Sequence, residues 1–295
     1  MSSPPQTGRA PAIFRPEGPE PSRRRVRLAL DALTPFTRQV IADAVRLAAQ
    51  EGGAIDCVFV EQASLMRAAV LPSTRELGPG VAPRNLDPTE LTRALQRQAE
   101  ETRRLITRQA AARGLVSSFH IAHGALIDEA LAHADEQDLL LAAIAGCEPE
   151  PMPSQLVSRT CAAHTMLALV ESLSTDLPTL RALLRSMPQM ALSVWTHGNN
   201  VQNETELQAQ LHRLALETGR PASRIQGPVP LRAGQQNQAG QADTLAAQLN
   251  STLERMRPQL LAMQRDMLAS LASELSWSMR RRPALLVGIP RSRNH

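Results

Sequence analysis

The sequence predicts an α/β fold: a three-layer sandwich around a five-stranded parallel sheet, followed by a divergent second copy of the same unit. Three observations lead there. Between residues 25 and 171, short runs that are apolar throughout alternate with stretches whose apolar residues recur every three or four positions. The first pattern suits strands buried on both faces of a parallel sheet, and the second suits helices lying against that sheet. Glycines and Thr-Pro or Asp-Pro pairs punctuate the changes, and an apolar strand, an amphipathic helix ending in glycine and a closing strand recur after residue 185. At 295 residues the chain has room for two domains of the common ~100–200 residues.

Residues 1–24 hold six prolines among Ser, Gly, Gln and Arg without an apolar period, the composition of a disordered tail. The fold starts with the strand VRLALDA, residues 26–32. Thr34-Pro35 then offers an N-cap with proline at the first helical position. The helix that follows sets Val40, Ile41, Ala44, Val45, Leu47 and Ala48 on one face and stops at Gly52-Gly53, ahead of the strand AIDCVFVE. A short apolar helix over 64–70 and a Pro- and Gly-rich loop through Pro83 lead to Asp87-Pro88-Thr89-Glu90. Asp87 as N-cap, Pro88 in the first turn and Glu90 three positions on form a capping-box pattern. That helix extends to about Arg113, where Gly114 stops it. LVSSFHIAH, ALIDEALAHADEQ, DLLLAAIA, SQLVSRTCAAH and TMLALVE then read as strand, helix, strand, helix and strand. The last of these completes a five-stranded parallel sheet, and the first domain spans residues 25–175.

The second domain, 185–292, is a weaker echo. QMALSVW reads as its first strand and 203–218 as a helix closed by Gly219. ASRIQGPVP is extended, 233–241 is a Gln-rich linker, two helices are split by Pro258, and PALLVGIP is the final strand. A plain helical hairpin over 245–279 is the alternative for this half.

Composition narrows the function classes. All 32 basic residues are arginine, the net charge is +4, and the arginines alternate with Glu and Asp along the helices. No block longer than Arg23-Arg24-Arg25 or Arg280-Arg281-Arg282 forms, so no nucleic-acid partner is expected. The longest apolar run, residues 139–147, is about half of the ~20 residues that cross a bilayer, so no membrane partner is expected either. Three cysteines without CxxC spacing and no apolar leader point to a cytoplasmic chain without a disulfide framework.

At VRLALDA, FVEQASLMRAAVLPSTREL, the capped long helix and FHIAHGALIDEALAHADEQDLLLAAI, the chain resembles the universal stress protein family in its tandem two-domain form. The resemblance covers about residues 25–171. It implies an adenine-nucleotide site in which Asp31, at the end of the first strand, contacts adenine, with Val60, Gly146 and Ser154 as further binding residues. The chain departs from the family at the phosphate loop, G-x2-G-x9-G-[ST] in nucleotide-binding members. In register, Ala143 replaces the first glycine, Gly146 keeps the second, Pro153 replaces the third, Ser154 keeps the hydroxyl, and the loop is three residues shorter. Glycine lets backbone N–H groups approach phosphate; proline has no N–H, and Glu148 and Glu150 add negative charge beside it. Tight ATP binding through this loop is therefore not expected. The second copy, read from Trp195-Thr196-His197-Gly198, has no aspartate at the matching strand end.

Other constellations carry less. His120 and His123 lie three apart on a strand and so point to opposite faces, which disfavours a shared metal. Cys57 sits mid-strand as a small buried hydrophobe, while Cys147 and Cys161 flank the altered loop as candidate redox thiols. No G-x-S-x-G elbow or H-E-x-x-H occurs, and the chain has no lysine for a P-loop. Asp31 also has a structural reading, as the cap of the turn that follows it through Thr34. The expected function is thus a non-enzymatic, universal-stress-like regulatory protein acting through protein partners or self-association, without a cofactor. The alternatives are an ATP/AMP-binding protein or weak ATPase using Asp31, and a thiol redox sensor.

Overall fold

The computed structural model of the chain describes residues 24–34, 37–76, 84–135, 137–144, 165–170, 173–196, 204–230, 241–256, 258–271 and 284–290. The first half contributes β1 (Val26–Asp31), α1 (Thr37–Gln50), β2 (Ile55–Gln62), α2 (Ala63–Val70), the two-residue strands β3 (Arg75–Glu76) and β4 (Arg84–Asn85), α3 (Pro88–Ala111), β5 (Ser117–Gly124), α4 (Leu126–Ala132) and β6 (Leu139–Ile144). The second contributes β7 (Thr165–Val170), α5 (Leu173–Ser186), β8 (Ala191–Thr196), α6 (Glu204–Glu217), β9 (Ile225–Pro230), α7 (Gln241–Met256), β10 (Leu260–Gln264) and β11 (Ala284–Ile289). Residues 265–271 are also helical.

Nine strands form one sheet in the order β5-β2-β1-β6-β11-β10-β7-β8-β9. Every neighbouring pair is parallel except β6–β11, which is antiparallel. Counted from its own first strand, the first half runs 3-2-1-4 inward from one edge, and the second runs 3-2-1-4-5 inward from the other. The α/β class and the mostly parallel, helix-covered sheet agree with the sequence reading; the five-stranded count does not. TMLALV, expected as the fifth strand of the first half, instead pairs with β8 and β10, and β11 lies beside β6. An all-apolar run announces burial on both faces, but nothing in it names its neighbours.

The two faces hold separate cores. One joins β-strand residues such as Leu28, Cys57, Leu141 and Val287 to α1, α3, α5 and α6 through Ile41, Ile106, Leu183 and Leu214. The other joins Ala29, Val58, Leu140 and Leu286 to α4, α7 and residues 265–271 through Ile127, Leu253 and Leu268. Residues 175–185, between the two expected domains, lie within α5, which packs in the same layer as α1. Two arginines fasten one half to the other by donating to helix C-terminal carbonyls. Arg46 Nη1 of α1 reaches Ser186 O of α5 at 2.5 Å, and Arg265 reaches the carbonyls of Leu131, Ala134 and Asp135 at the end of α4. Cations at that pole complement the helix dipole as well as the unpaired carbonyls.

Several local expectations are met and two are corrected. Asp87 accepts from the Thr89 N–H at 2.8 Å, and Gly52, Gly114 and Gly219 take positive φ (67°, 65° and 66°) where α1, α3 and α6 stop. Glu90, however, pairs with Arg84 at 3.3 Å rather than closing a capping box. The start expected at Thr34-Pro35 falls at residues 35–36, outside the described residues, and the Thr34 hydroxyl is used in the turn after β1. LLAMQ, read as helix, is the buried strand β10, which removes the helical-hairpin alternative. Leu, Ala and Met favour helices intrinsically, and burial on both sides of the sheet overrides that preference. The expected tail and the expected helix over 154–164 lie outside the described residues, apart from Arg24.

Gly288 marks how tightly β11 is held. A Cβ there would stand 3.2 Å from Leu140 Cβ and 3.3 Å from Leu268 Cδ2. A branched side chain has no room between them, so we expect Gly288→Val to destabilise the fold by about 1–3 kcal/mol, read as a lower midpoint in thermal or urea denaturation.

Candidate functional site

In the first half the chain leaves β1 toward β2 on one side and returns to β6 on the other. The C-terminal ends of β1 and β6 therefore flank the switch point where open α/β sheets bind ligands. Asp31 is the last residue of β1 and only 2% exposed. It lies opposite Val60 in register, and Gln62, two residues further along β2, shares their face.

The carboxylate is occupied from within. Its Oδ1 accepts from the Leu33 N–H at 3.0 Å and the Thr34 hydroxyl at 2.9 Å, and its Oδ2 accepts from Gln62 Nε2. Thr34 Oγ1 in turn accepts from the Asp31 N–H at 3.0 Å. The turn is closed by the Thr34 N–H donating to Asp31 O at 3.2 Å. It is pinned from α3 by Gln98 Nε2 donating to Ala32 O at 2.8 Å. Thr34 Oγ1 also lies 3.4 Å from Ala143 O on β6, so the network spans the switch point. Burial raises the Asp31 carboxyl above its usual range, against the lowering effect of the Thr34, Gln62 and Leu33 bonds. The turn-capping role of Asp31 is thus present in the structure.

Of the other predicted site residues, Val60 is the one among the described residues, and it stands beside Asp31. Val60 is fully buried, its side chain in the layer of Ala29, Ala122 and Ala142, and offers a ligand only backbone. Ala143, aligned with the first loop glycine, is still a buried strand residue of β6. Gly146, Ser154, Cys147 and Cys161 lie outside the described residues. In the second half, β7 is the counterpart of β1: Val26 pairs with Leu139, and Met166 with Leu260. Five residues on from each stand Asp31-Ala32-Leu33-Thr34 and Glu171-Ser172-Leu173-Ser174. The acidic counterpart of Asp31 is therefore Glu171, itself outside the described residues, and not a residue at the end of β8.

The sequence reading missed a second polar cluster. Arg27, near the start of β1, is buried with Nη2 at 3.0 Å from Asp56 Oδ2 and 3.5 Å from Asp138 Oδ2. Ser118 Oγ donates to Asp56 Oδ1 at 2.7 Å, and the Asp135 N–H donates to Asp138 Oδ2 at 3.0 Å. His120 Nε2 also approaches Asp56 Oδ1, at 3.4 Å. The available signal was a polar residue at matched register in three neighbouring strands: Arg27, Asp56 and Ser118. The cluster sits at the end of the sheet away from the switch point, and its charges serve one another.

The remaining chemistry is sparse. His123 pairs with Glu61 at 3.2 Å while His120 faces Asp56, and among the described residues no group of three His, Cys, Asp or Glu could hold a metal. Cys57 is buried, and burial raises its thiol far above the ordinary range, which makes it a poor nucleophile. On α3, Arg103 and Arg104 both donate to Glu100 at 2.8 Å, holding its carboxyl down at about 2 and partly neutralising a basic face. No described helix is long and apolar enough to cross a membrane. No protein-family model matches the chain, and neither does any curated protein.

Two outcomes follow from the Asp31 network. Thr34→Val removes both a donor to the carboxylate and the acceptor of the buried Asp31 N–H, and we expect it to cost about 1–3 kcal/mol in chemical denaturation. Because the folded-state carboxyl is raised, the unfolded chain binds fewer protons in the interval between its ordinary value and the raised one, so stability falls as pH rises through that interval. Asp31→Asn keeps the Oδ1 acceptor, and rotation of Gln62 can present its oxygen to the new amide. We therefore expect this variant to be at least as stable as wild type at neutral pH, with any advantage vanishing below the usual carboxylate range; a marked loss at pH 7 would contradict this.

Proposed function

We propose that the chain is a tandem universal-stress-like protein, cytoplasmic and non-enzymatic, that acts through protein contacts and has lost ATP binding by the family's phosphate loop. The observation that carries this reading is Asp31: the carboxylate that would receive adenine is buried and already bonded on both oxygens inside the chain. The altered loop sequence points the same way. The tandem reading is supported by the repeated 3-2-1-4 strand order, which is that of doubly wound nucleotide-fold sheets. It is supported also by matched buried spacing, Ile41, Ala44, Val45 and Ala48 against Leu180, Leu183, Leu184 and Met187.

A second reading, an ATP- or AMP-binding protein, is favoured by one feature. Oδ2 of Asp31 is held by Gln62, a half-buried side chain whose own Oε1 has only a 3.5 Å contact with Ser64. Rotation of Gln62 would free one acceptor. Isothermal titration with ATP and then AMP, in magnesium buffer, separates the two. We expect no heat from wild type. Micromolar binding that Asp31→Ala abolishes would establish the second reading instead, and Gln62→Ala should then tighten it.

A further inference from the structure

The two edges of the nine-stranded sheet are built differently. β9 carries a register shift against β8 between Ser193 and Trp195. Its Gly227 takes a φ of 120°, and Pro228 and Pro230 have no N–H to offer. These are the features that keep an edge strand from recruiting another chain. β5, at the opposite edge, has none of them. It runs in unbroken register with β2 from Ser117 opposite Ile55 to Gly124 opposite Gln62, and among the described residues nothing pairs with its outer side. Its sequence, SSFHIAHG, contains no proline, arginine, aspartate or glutamate. Ile121 is 50% exposed on it, and Val116, just before it, is 75% exposed.

We infer that β5 pairs antiparallel with β5 of a second copy of this chain, about a two-fold axis at Ile121. Charge selects the occupant. A strand with no arginine, aspartate or glutamate, whose two histidines meet Phe119 and Ala122 rather than each other, can lie against itself without like charges meeting, and opposite residues of an antiparallel pair share a face. In this register Ile121 meets its symmetry mate, Phe119 meets His123, and His120 meets Ala122. His120 and His123 already have their carboxylates, Asp56 and Glu61, on the β2 side. The outward N–H and C=O groups of an eight-residue strand would then be satisfied by protein, and the half-exposed isoleucine would be covered.

This inference rests on the reading that the protein works through protein contacts and names the first such contact. Its test is the mass of the full-length chain by sedimentation velocity, from low micromolar to the highest soluble concentration. Wild type should approach twice the chain mass, Ile121→Lys should stay at the mass of one chain with an unchanged far-ultraviolet spectrum, and Val229→Lys, at the blocked edge, should still dimerise. Hydrogen exchange on wild type gives an independent readout: β5 amides should become more protected as concentration rises. A wild type that is monomeric throughout, an Ile121→Lys dimer, or β5 amides indifferent to concentration would each overturn the pairing. A peptide or foreign protein seated on β5 of a monomeric chain would overturn it too. None of these results bears on the nucleotide titration, so the inference and the functional reading fail separately.

Discussion

The antiparallel pairing of β6 with β11 is the interaction on which the rest of the molecule depends. Each half is parallel within itself, and parallel strands pair through crossovers that return them in the same direction. The single reversal lies where the halves meet. β11 is the fifth strand of the second half and also the central strand of the sheet, with four strands on either side. The first half therefore has no described fifth strand of its own and uses its neighbour's. Remove β11 and both β6 and β10, buried along their whole lengths, become edges with unpaired backbone groups. The arginines at Ser186 and at the end of α4 fasten the helical layers over the same junction, one on each face.

Two buried acidic systems show how the sheet accommodates charge. At the start of the strands Arg27 lies between Asp56 and Asp138, so desolvation is offset by opposite charge and by the Ser118 hydroxyl and the Asp135 N–H. Breaking such a cluster by removing one member leaves a buried charge uncompensated, which costs more than the pair itself contributes. At the far end, among the described residues, Asp31 is met only by neutral donors. That difference explains why burial leaves its carboxyl raised.

Much of the first half was legible because its punctuation is local: Asp87-Pro88, Gly52 and Gly114 announce helix ends by backbone chemistry that needs no tertiary context. What the sequence hid is pairing. TMLALV and LLAMQ are apolar except for Thr165 and Gln264 at their ends, so neither period nor polarity says which strands they join, and LLAMQ even resembles helix by composition. Misplacing TMLALV by one unit then moved the search for a second acidic residue to the end of β8, away from Glu171. The Asp31 turn was half legible, through Asp31 and Thr34; Gln62 was not, since only parallel register brings it beside residue 31.

The Asp31 network also bears on how a ligand could compete. An amine donor reaching Oδ2 must first displace Gln62 from a charged acceptor in a site nearly closed to water. A hydrogen bond of that kind is worth about 1.5–3 kcal/mol net, roughly one to two orders of magnitude in affinity. A ligand gripped firmly at its phosphates could absorb that loss, since binding energy at one end can offset displacement at the other. On the universal-stress reading proposed above, the phosphate end is where alanine and proline stand in place of the family's glycines and where Glu148 and Glu150 stand. The two departures compound: the adenine end asks for displacement, and the phosphate end has less to offset it with. AMP, with one phosphate, and ATP, with three, both meet the first cost and both lack the grip that would offset it, which is why they are expected to fail together.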